Sequence, residues 1–296
     1  MRRGILVYNP TAGQRDRRRA MSTLIDRQRA RGLELVNAPT SGPGDATAIV
    51  QSFLTRGLDV VAVCGGDGTI SEAACGLAGS DVPLAILPGG TSNVLAIELG
   101  IPSSFLRAES LLHDGVPRAL RLAHADGRPF LLWAGVGIDA RIMGRMSVAW
   151  KRRLGRAGIL PTAVSQFVQY EFPSLEVEID GVAHPATFAV ASRARHYAGK
   201  WVIAPDADPV GDTFDVLLFA ERSHARLAQL FQQMAAGRAG HLKNGLSRIV
   251  RGRKVSIRSL EGNPVEVQVD GDCVLATPIS CHVGTATVRV LVPARD

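Results

Sequence analysis

A buried strand that runs directly into a glycine-rich turn and then a helix constrains the fold of this 296-residue chain more than any other feature. Residues 60–72 read VVAVCGGDGTISE, so five apolar residues lead into three glycines within four positions. Glycine lets the backbone approach a ligand without a Cβ in the way, and the amides that begin the following helix attract anions. The segment therefore predicts a phosphate-binding turn at the tip of a parallel strand.

Two further loops have the same character. Residues 87–93 read LPGGTSN and lead from an apolar run into a helix-like segment, and residues 9–13 read NPTAG and follow the first apolar run. Taken singly, each loop is also compatible with a tight turn and a helix N-cap. Ligands of open α/β sheets gather beyond the carboxyl ends of the strands, so loops at successive strand ends predict one shared site. Neither GxxxxGKS nor GxxxxGKT occurs, so the site is not a Walker A loop.

Asp67 lies inside the first glycine turn. A carboxylate at that position would repel phosphates unless a cation lay between them, so we expect Asp67 to face Mg²⁺, directly or through water. An ordinary turn residue is the alternative interpretation. Thr69 and Glu72 have the spacing of a capping box, which leaves helix capping as an alternative role for Glu72.

Strand-like and helix-like segments alternate through the first 120 residues. The apolar runs Gly4–Tyr8, Leu58–Val63 and Pro83–Leu87 are short, rich in Val, Ile and Leu, and typical of strands covered on both faces of a parallel sheet. Helix-like segments separate them. We therefore predict an N-terminal open α/β nucleotide-binding domain over residues 1–120.

The pattern changes after residue 120. Short strand-like segments follow, and turn dipeptides such as Asp180-Gly181 and Asp270-Gly271 lie between them. Helix-like patches interrupt these segments at 142–170 and 224–236. We predict a mainly antiparallel β domain over residues 121–296, with the last strand free to return to the first domain, so the fold class is α/β plus β.

Composition excludes several classes of protein. With 46% apolar and 21% charged residues the chain is globular rather than disordered or fibrous. No apolar run approaches the roughly 18–20 residues of a membrane-spanning helix, and the apolar part of the N-terminal segment is too short for a signal peptide. Four cysteines without CxxC spacing predict reduced thiols in a cytoplasmic protein.

The net charge of +7 favours anionic partners. No acidic residue occurs from Ala140 to Tyr170, where six cations surround Trp150: Arg141, Arg145, Lys151, Arg152, Arg153 and Arg156. Such a segment suits attachment to an anionic membrane surface, and a solvated basic face is the alternative. We do not expect nucleic-acid binding, because aromatic residues are not interleaved with the charges.

Together these motifs resemble the diacylglycerol/lipid kinase catalytic family, which includes bacterial diacylglycerol kinases and is related to sphingosine kinases and, more distantly, to NAD kinases. The match extends in order over nearly the whole chain through NPTAG at 9–13, Thr40 ahead of GDA at 44–46, GGDGT at 65–69, LPGGTSN at 87–93, GVGIDA at 135–140 and VDGD at 269–272. The GGDGT and LPxGTxN pair is the specific part of this resemblance.

The resemblance implies a two-domain kinase that binds ATP and Mg²⁺ in the cleft between an α/β domain and a β-sandwich. It implies nucleotide contacts from Asn9, Pro10, Thr11, Ala12, Gly13, Thr40, Gly65, Gly66, Asp67, Gly68, Thr69, Glu72, Gly90, Thr91 and Asn93. It also implies that Asp270 or Asp272 is the base that takes the acceptor proton, with Asp67 completing the catalytic group. A simple hairpin turn at Asp270-Gly271 is the alternative.

The chain departs from the family pattern in three places. Asp272 stands where the family usually has Glu, and Val94 stands where many members have Asp. The family's structural magnesium loop usually reads Asp-Gly-x-Leu/Phe-Asp, whereas residues 210–215 read VGDTFD. Asp212 is the candidate metal ligand in that loop.

One other glycine motif matches part of the dinucleotide-binding pattern but lacks the acidic residue that completes it. Residues 135–140, GVGIDA, satisfy GxGxxA after a strand, but no acidic residue follows Asp139 before Glu171. A dinucleotide site needs an acid about 20 positions on, so we do not expect one here.

We therefore expect an ATP-dependent kinase that transfers the γ-phosphate to a diacylglycerol-like lipid hydroxyl. We expect it in the cytoplasm and peripherally at the inner membrane face, with a homodimer left open. The alternatives are an NAD kinase-like enzyme acting on a soluble hydroxyl and a nucleotide-binding regulator without turnover.

Overall fold

The computed structural model describes residues 1–10, 18–90, 92–145, 159–237 and 239–294. The chain divides into two compact units. The first comprises Met1–Leu120 with Ala286–Asp296, and the second comprises Arg121–Thr285.

A parallel sheet forms the centre of the first unit. Its strands are β1 (Arg2–Tyr8), β2 (Leu33–Pro39), β3 (Val60–Gly65) and β4 (Leu84–Pro88), in the order β2-β1-β3-β4. The end of the last strand, β18 (Ile279–Val292), adds to this sheet by pairing Val290 with Leu84. Every residue of β3 and β4 is buried, which explains why these strands read as unbroken apolar runs.

Helices connect the strands of the first unit. They are α1 (Arg18–Ala30), α2 (Asp45–Leu54), α3 (Asp67–Gly76), α4 (Val94–Glu98), α5 (Phe105–Glu109) and α6 (Leu111–Asp114). Strand β2 is absent from our prediction. Its exposed Glu34 and Asn37 interrupt the apolar pattern, because β2 has a paired neighbour on one side only.

Antiparallel strands form the second unit. Those that precede residue 210 are β5 (Val116–Ala125), which enters this unit at Arg121, then β6 (Arg128–Phe130), β7 (Trp133–Val136), β8 (Leu175–Ile179), β9 (Val182–Ala186), β10 (Phe188–Ser192), β11 (His196–Tyr197) and β12 (Trp201–Val202). Those that follow are β13 (Phe214–Phe219), β14 (Arg248–Gly252), β15 (Lys254–Ser259), β16 (Glu266–Val269), β17 (Asp272–Ala276) and the first part of β18. One sheet has the order β14-β13-β10-β7-β16-β17, and β18, β15, β8 and β9 follow one another in a second.

The core of the second unit lies between these sheets. Side chains from both contribute to one buried cluster, which includes Val216 and Val267 from the first sheet and Val177 and Val255 from the second. The predicted fold class, an open α/β domain followed by antiparallel β-sheets packed as a sandwich, is confirmed.

Helices α7 (Ile138–Arg145), α8 (Ile159–Val168), α9 (His224–Ala235) and α10 (Gly240–Lys243) belong to this unit. The predicted helical patch 142–170 overlaps α7 and α8, and its residues 146–158 lie outside the described part of the chain. Among the described residues no helix combines the length and apolar character needed to cross a membrane.

Candidate functional site

The two specific glycine loops of the first unit contact each other. A Cβ on Gly90 would lie 2.4 Å from the Cα of Gly66, so a side chain at position 90 cannot be accommodated without moving a loop. The amide of Gly89 donates to the carbonyl of Gly65 at 3.1 Å, which extends the pairing of β3 with β4 into the loops. These glycines therefore allow two phosphate-binding candidates to share one sheet end.

The loop after β1 begins at the same sheet end. The Asn9 amide donates to the Cys64 carbonyl at 3.1 Å, and the Thr40 amide donates to the Tyr8 carbonyl at 2.9 Å. Pro10 is the next residue of this loop after Asn9. Thr11, Ala12 and Gly13 lie outside the described residues, as does Thr91 of the loop after β4.

Asp67 links the first glycine loop to the second. It is the first residue of α3, and its Oδ1 accepts a hydrogen bond from the Val94 amide at 2.6 Å. Asn93 closes the second loop with two bonds to Gly90, because its Oδ1 accepts from the Gly90 amide at 3.1 Å and its Nδ2 donates to the Gly90 carbonyl at 3.0 Å. The Asp67 carboxylate is thereby held at the sheet end by a charge-assisted bond.

Glu72 caps the neighbouring helix α2. Its carboxylate accepts from the amides of Gly44 at 2.8 Å and Ala46 at 3.2 Å. The alternative of a Thr69–Glu72 capping box is wrong, because α3 starts at Asp67 with Gly66 as its N-cap, which puts Thr69 inside the first turn. A nucleotide contact from Glu72 stays a prediction.

Thr69 covers the end of β3. A Cβ on Gly65 would lie 2.6 Å from the Thr69 Cβ, so the close approach of this side chain requires glycine at position 65. The space over Gly68 is different, since a Cβ there would meet nothing within 4 Å. The loop is therefore packed on one side and open on the other.

The open side suits an anion with its cation. The first intrahelical bond of α3 is Ile70 to Gly66, so the amides of residues 67–69 have no acceptor within the helix. Among the described residues no three His, Cys, Asp or Glu side chains gather as a metal cage. Mg²⁺ commonly binds through one or two carboxylates completed by phosphate oxygens and water, and Asp67 fits that mode.

The acidic motif of the second unit forms the tight turn between β16 and β17. Asp270 and Gly271 both have positive φ, 49° and 90°, which is the conformation of a two-residue hairpin turn. The Asp270 carboxylate is buried and accepts from three consecutive amides: Leu131 at 2.8 Å, Leu132 at 2.9 Å and Trp133 at 3.2 Å. These bonds fasten the turn to the segment leading into β7.

Asp272 has a different environment. It begins β17, its side chain is 51% exposed, and its Oδ2 lies 3.3 Å from Nη2 of Arg128, itself an exposed side chain. Exposed pairs of this kind hold their members weakly. Of the two candidate bases, Asp272 therefore presents the accessible carboxylate.

The described residues do not support Asp212 as a metal ligand. Its carboxylate is half exposed and pairs with Arg253 at 2.7 Å. Carbonyls of the same loop bind a guanidinium instead, because the fully buried Arg193 donates to Pro209 and Gly211. Burial lowers the pKa of Arg193 to about 10, so this internal cation remains charged at neutral pH.

Sequence reasoning missed the roles of Arg193 and Asp139. Both are buried charged residues close to the end of a strand-like apolar segment, and that position is a signal that could have identified them. The Asp139 carboxylate also occupies the space over the preceding strand, since a Cβ on Gly135 would lie 1.8 Å from its Oδ2.

The basic segment is described only in part. Trp150, Lys151, Arg152, Arg153 and Arg156 lie outside the described residues. Arg141 donates to Gln166 at 3.0 Å, and Arg145 pairs with Glu266 at 2.9 Å. Helix α8 exposes two apolar side chains one turn apart, Val164 and Val168.

Comparison with known proteins covers both units. Residues 3–125 match the diacylglycerol kinase catalytic domain, and residues 133–292 match the YegS C-terminal NAD kinase beta sandwich-like domain. A diacylglycerol kinase of Mycobacterium tuberculosis is 27% identical over 97% of this chain and 94% of its own length, and one of Bacillus subtilis is 24% identical over 92% and 90%. A crystal structure of a diacylglycerol kinase from Bacillus anthracis has the same fold, with a TM-score of 0.74 at 23% identity over 98% of this chain and 96% of that one.

Proposed function

Because this chain belongs to the lipid kinase family that joins a diacylglycerol kinase catalytic domain to a YegS-type β-sandwich domain, we propose that it transfers the γ-phosphate of ATP to the hydroxyl of a diacylglycerol-like lipid. The observation that carries the proposal is the contact between Gly66 and Gly90, with Asp67 bonded across to Val94. This arrangement brings two amide-rich loops and one carboxylate to a single sheet end.

In this proposal the first unit binds the nucleotide. The amides of the glycine loops and of the α3 N-terminus bind phosphate oxygens, and Asn9 and Thr40 contact the nucleotide from the neighbouring strand ends. Asp67 would hold Mg²⁺, which when bound neutralises charge on the transferring phosphoryl group. Phosphoryl transfer depends mainly on such positioning and charge stabilisation.

The acidic turn supplies the base. Asp270 already accepts three main-chain hydrogen bonds, so we assign it to holding the turn. We assign Asp272 as the group that accepts the proton of the acceptor hydroxyl. A carboxylate is a weak base, yet it suffices because the attacking hydroxyl becomes acidic late in a loose transition state.

The lipid class of the acceptor is supported by the surface of α8. Val164 and Val168 are 54% and 67% exposed on one side of this helix. The preceding residues 151–156 contain four cations and no acid. A helix with an exposed apolar side next to a basic segment suits the surface of an anionic bilayer, where the lipid substrate is found.

An ADP-release screen tests the function. Purified protein would be given ATP, Mg²⁺ and, separately, diacylglycerol, monoacylglycerol, a sphingoid base, phosphatidylglycerol or NAD. We expect release with diacylglycerol and loss of that release in Asp67→Ala. ADP release with NAD as acceptor and with none of the lipids would favour a kinase for a soluble hydroxyl. ATP binding without ADP release in the presence of any acceptor would favour a nucleotide-binding regulator.

A further inference from the structure

A buried carboxylate outside the proposed phosphoryl-transfer groups lies at the start of α7. Asp139 is only 5% exposed. Its Oδ2 accepts from the Tyr197 hydroxyl and from Nε2 of Gln268, both at 3.1 Å, and its Oδ1 accepts from the Ala140 amide at 2.7 Å. Three donors therefore converge on this carboxylate, which is the arrangement a buried anion needs.

Gln268 connects this carboxylate to the acidic turn. It is fully buried in β16, and its Oε1 accepts from the Gly271 amide at 2.8 Å. An ionised carboxylate can only accept a hydrogen bond, and a main-chain amide can only donate one. The Gln268 side chain therefore has one orientation that satisfies both partners, with Nε2 toward Asp139 and Oε1 toward Gly271. Asp139 thus determines which atom Gln268 presents to Gly271.

We propose that Asp139 is a positioning residue, which acts through Gln268 on the Gly271 amide to set the direction in which Asp272 leaves the turn. The inference rests on the role of Asp272 in the proposed function. Asp272 is the next residue after Gly271. Among the described residues its carboxylate pairs with one exposed arginine, so the main chain before it sets the position of that carboxylate.

The Gln268 bond is a separate attachment of the turn. Asp270 holds its first residue from one side through three amides, and the Gln268 bond holds its second. Gly271, at φ 90°, has a wide choice of backbone conformations once that bond is lost. A displacement of about 1 Å at a reacting group can cost on the order of 10²-fold in rate.

The surroundings of Asp139 are neutral. The titratable groups that face it are Tyr197 from β11, Tyr170 after α8 and Cys273 from β17, and burial raises the pKa of each. Burial also raises the pKa of Asp139, to about 6, against the opposing effect of its hydrogen bonds. The carboxylate is therefore mostly ionised at pH 7 and able to accept from Gln268.

The test uses three variants and one control. Gln268→Met removes both bonds. Asp139→Asn leaves one acceptor oxygen for three donors, so it cannot satisfy both Ala140 and Gln268. The double variant Asp139→Asn/Gln268→Glu exchanges the two functional groups. In the double variant the new amide at 139 donates to the new carboxylate at 268, which still accepts from Gly271. Gln28→Met is the matched control, because Gln28 is a fully buried glutamine that bonds to Glu109 and His113 rather than to the turn.

Three quantities are measured in each variant: kcat with diacylglycerol, KM for ATP, and amide hydrogen exchange of the peptide containing Gly271. We expect each single variant to lose 10- to 100-fold in kcat, with KM for ATP unchanged and exchange at Gly271 accelerated. We also expect the double variant to recover much of both losses, and the control to change neither. In the unmodified protein kcat should fall as the pH drops below about 6, where Asp139 takes up a proton. This fall should be absent in Asp139→Asn.

Unchanged exchange and unchanged kcat in both single variants would overturn the proposal. A double variant no better than Gln268→Met would do the same. Failure of the proposed function has a different signature, because the unmodified protein would then release no ADP with diacylglycerol while exchange at Gly271 still responded to the variants.

Discussion

Asp67 Oδ1 accepts a hydrogen bond from the Val94 amide at 2.6 Å, although 27 positions separate the two residues in the chain. The main-chain amide of Val94 therefore orients the Asp67 carboxylate at the sheet end. The proposed metal-binding role of Asp67 can be separated from its structural role, because an amide side chain keeps an acceptor but not the charge.

Replacement of Asp67 by Asn should therefore abolish function while preserving the fold. We expect ADP release to fall by at least about 10²-fold, because the carboxylate proposed to hold Mg²⁺ is lost, with a melting temperature near that of the unmodified protein. Asp67→Ala should lose activity and also about 1–2 kcal/mol of unfolding free energy, since the bond to Val94 is lost. Retained Mg²⁺-dependent turnover in Asp67→Asn would contradict the assignment.

Two glycines should respond in opposite ways to the same substitution. Gly68→Ala meets no atom within 4 Å and lies in α3, so we expect unchanged or higher stability, by up to about 1 kcal/mol. Its methyl group points into open space at the proposed phosphate site, so KM for ATP should rise. Gly90→Ala should lower the melting temperature, because its Cβ would lie 2.4 Å from Gly66. Thermal unfolding with and without ATP measures both effects.

Replacement of Asp270 should lower the stability of the protein, whereas replacement of Asp272 should lower kcat. Asp270→Asn leaves a single side-chain oxygen for three amide donors, so we expect a loss of roughly 1–3 kcal/mol of unfolding free energy. Asp272→Asn should leave stability unchanged and reduce kcat by about 10²-fold or more, as expected for loss of a general base. Chemical denaturation and steady-state kinetics test the pair. Full activity in Asp272→Asn would remove it as the base.

The pH dependence of stability should report on Asp139. Its folded pKa of about 6 is raised above the ordinary value of 3.8. The folded state therefore binds the proton more tightly, and the stabilisation is fully present below about pH 4 and is lost as the pH rises through 6. Relative to Asp139→Asn, the unmodified protein should gain up to about 3 kcal/mol between pH 7 and pH 4. A difference that does not vary with pH would contradict the buried, titrating carboxylate.

Membrane attachment should depend on the apolar side of α8. We expect Val164→Asp/Val168→Asp to reduce sedimentation with vesicles containing anionic phosphatidylglycerol, because two charges would enter the interface. Val182→Asp is the control, since Val182 is similarly exposed at 58% on strand β9. Equal binding of the unmodified protein to neutral and anionic vesicles would contradict the contribution of the basic segment.

The strands that are buried on both faces were predictable from sequence, because Val60–Cys64 and Leu84–Leu87 must be apolar throughout. Strand β2 was not, since its exposed polar residues follow from its position at one side of the sheet. The N-terminus of α3 also lies before the Thr69 capping box that the sequence allowed. Gly66 caps that helix without a side-chain bond, so local sequence signals pointed to Thr69 instead.

The sequence by itself determined the glycine loops, their order along the chain and the acids within them, because strand burial and glycine spacing are local properties. Only the tertiary structure decided which atoms these residues meet. The Asp270 carboxylate accepts from three main-chain amides, and the Glu72 carboxylate caps α2. Asp139 is linked to Gly271 by hydrogen bonds through Gln268. These contacts join segments that lie apart in the chain or depend on the turn between two strands. An aspartate is the same residue in the sequence wherever it lies, and its role follows from the hydrogen-bond donors and the burial that the fold supplies.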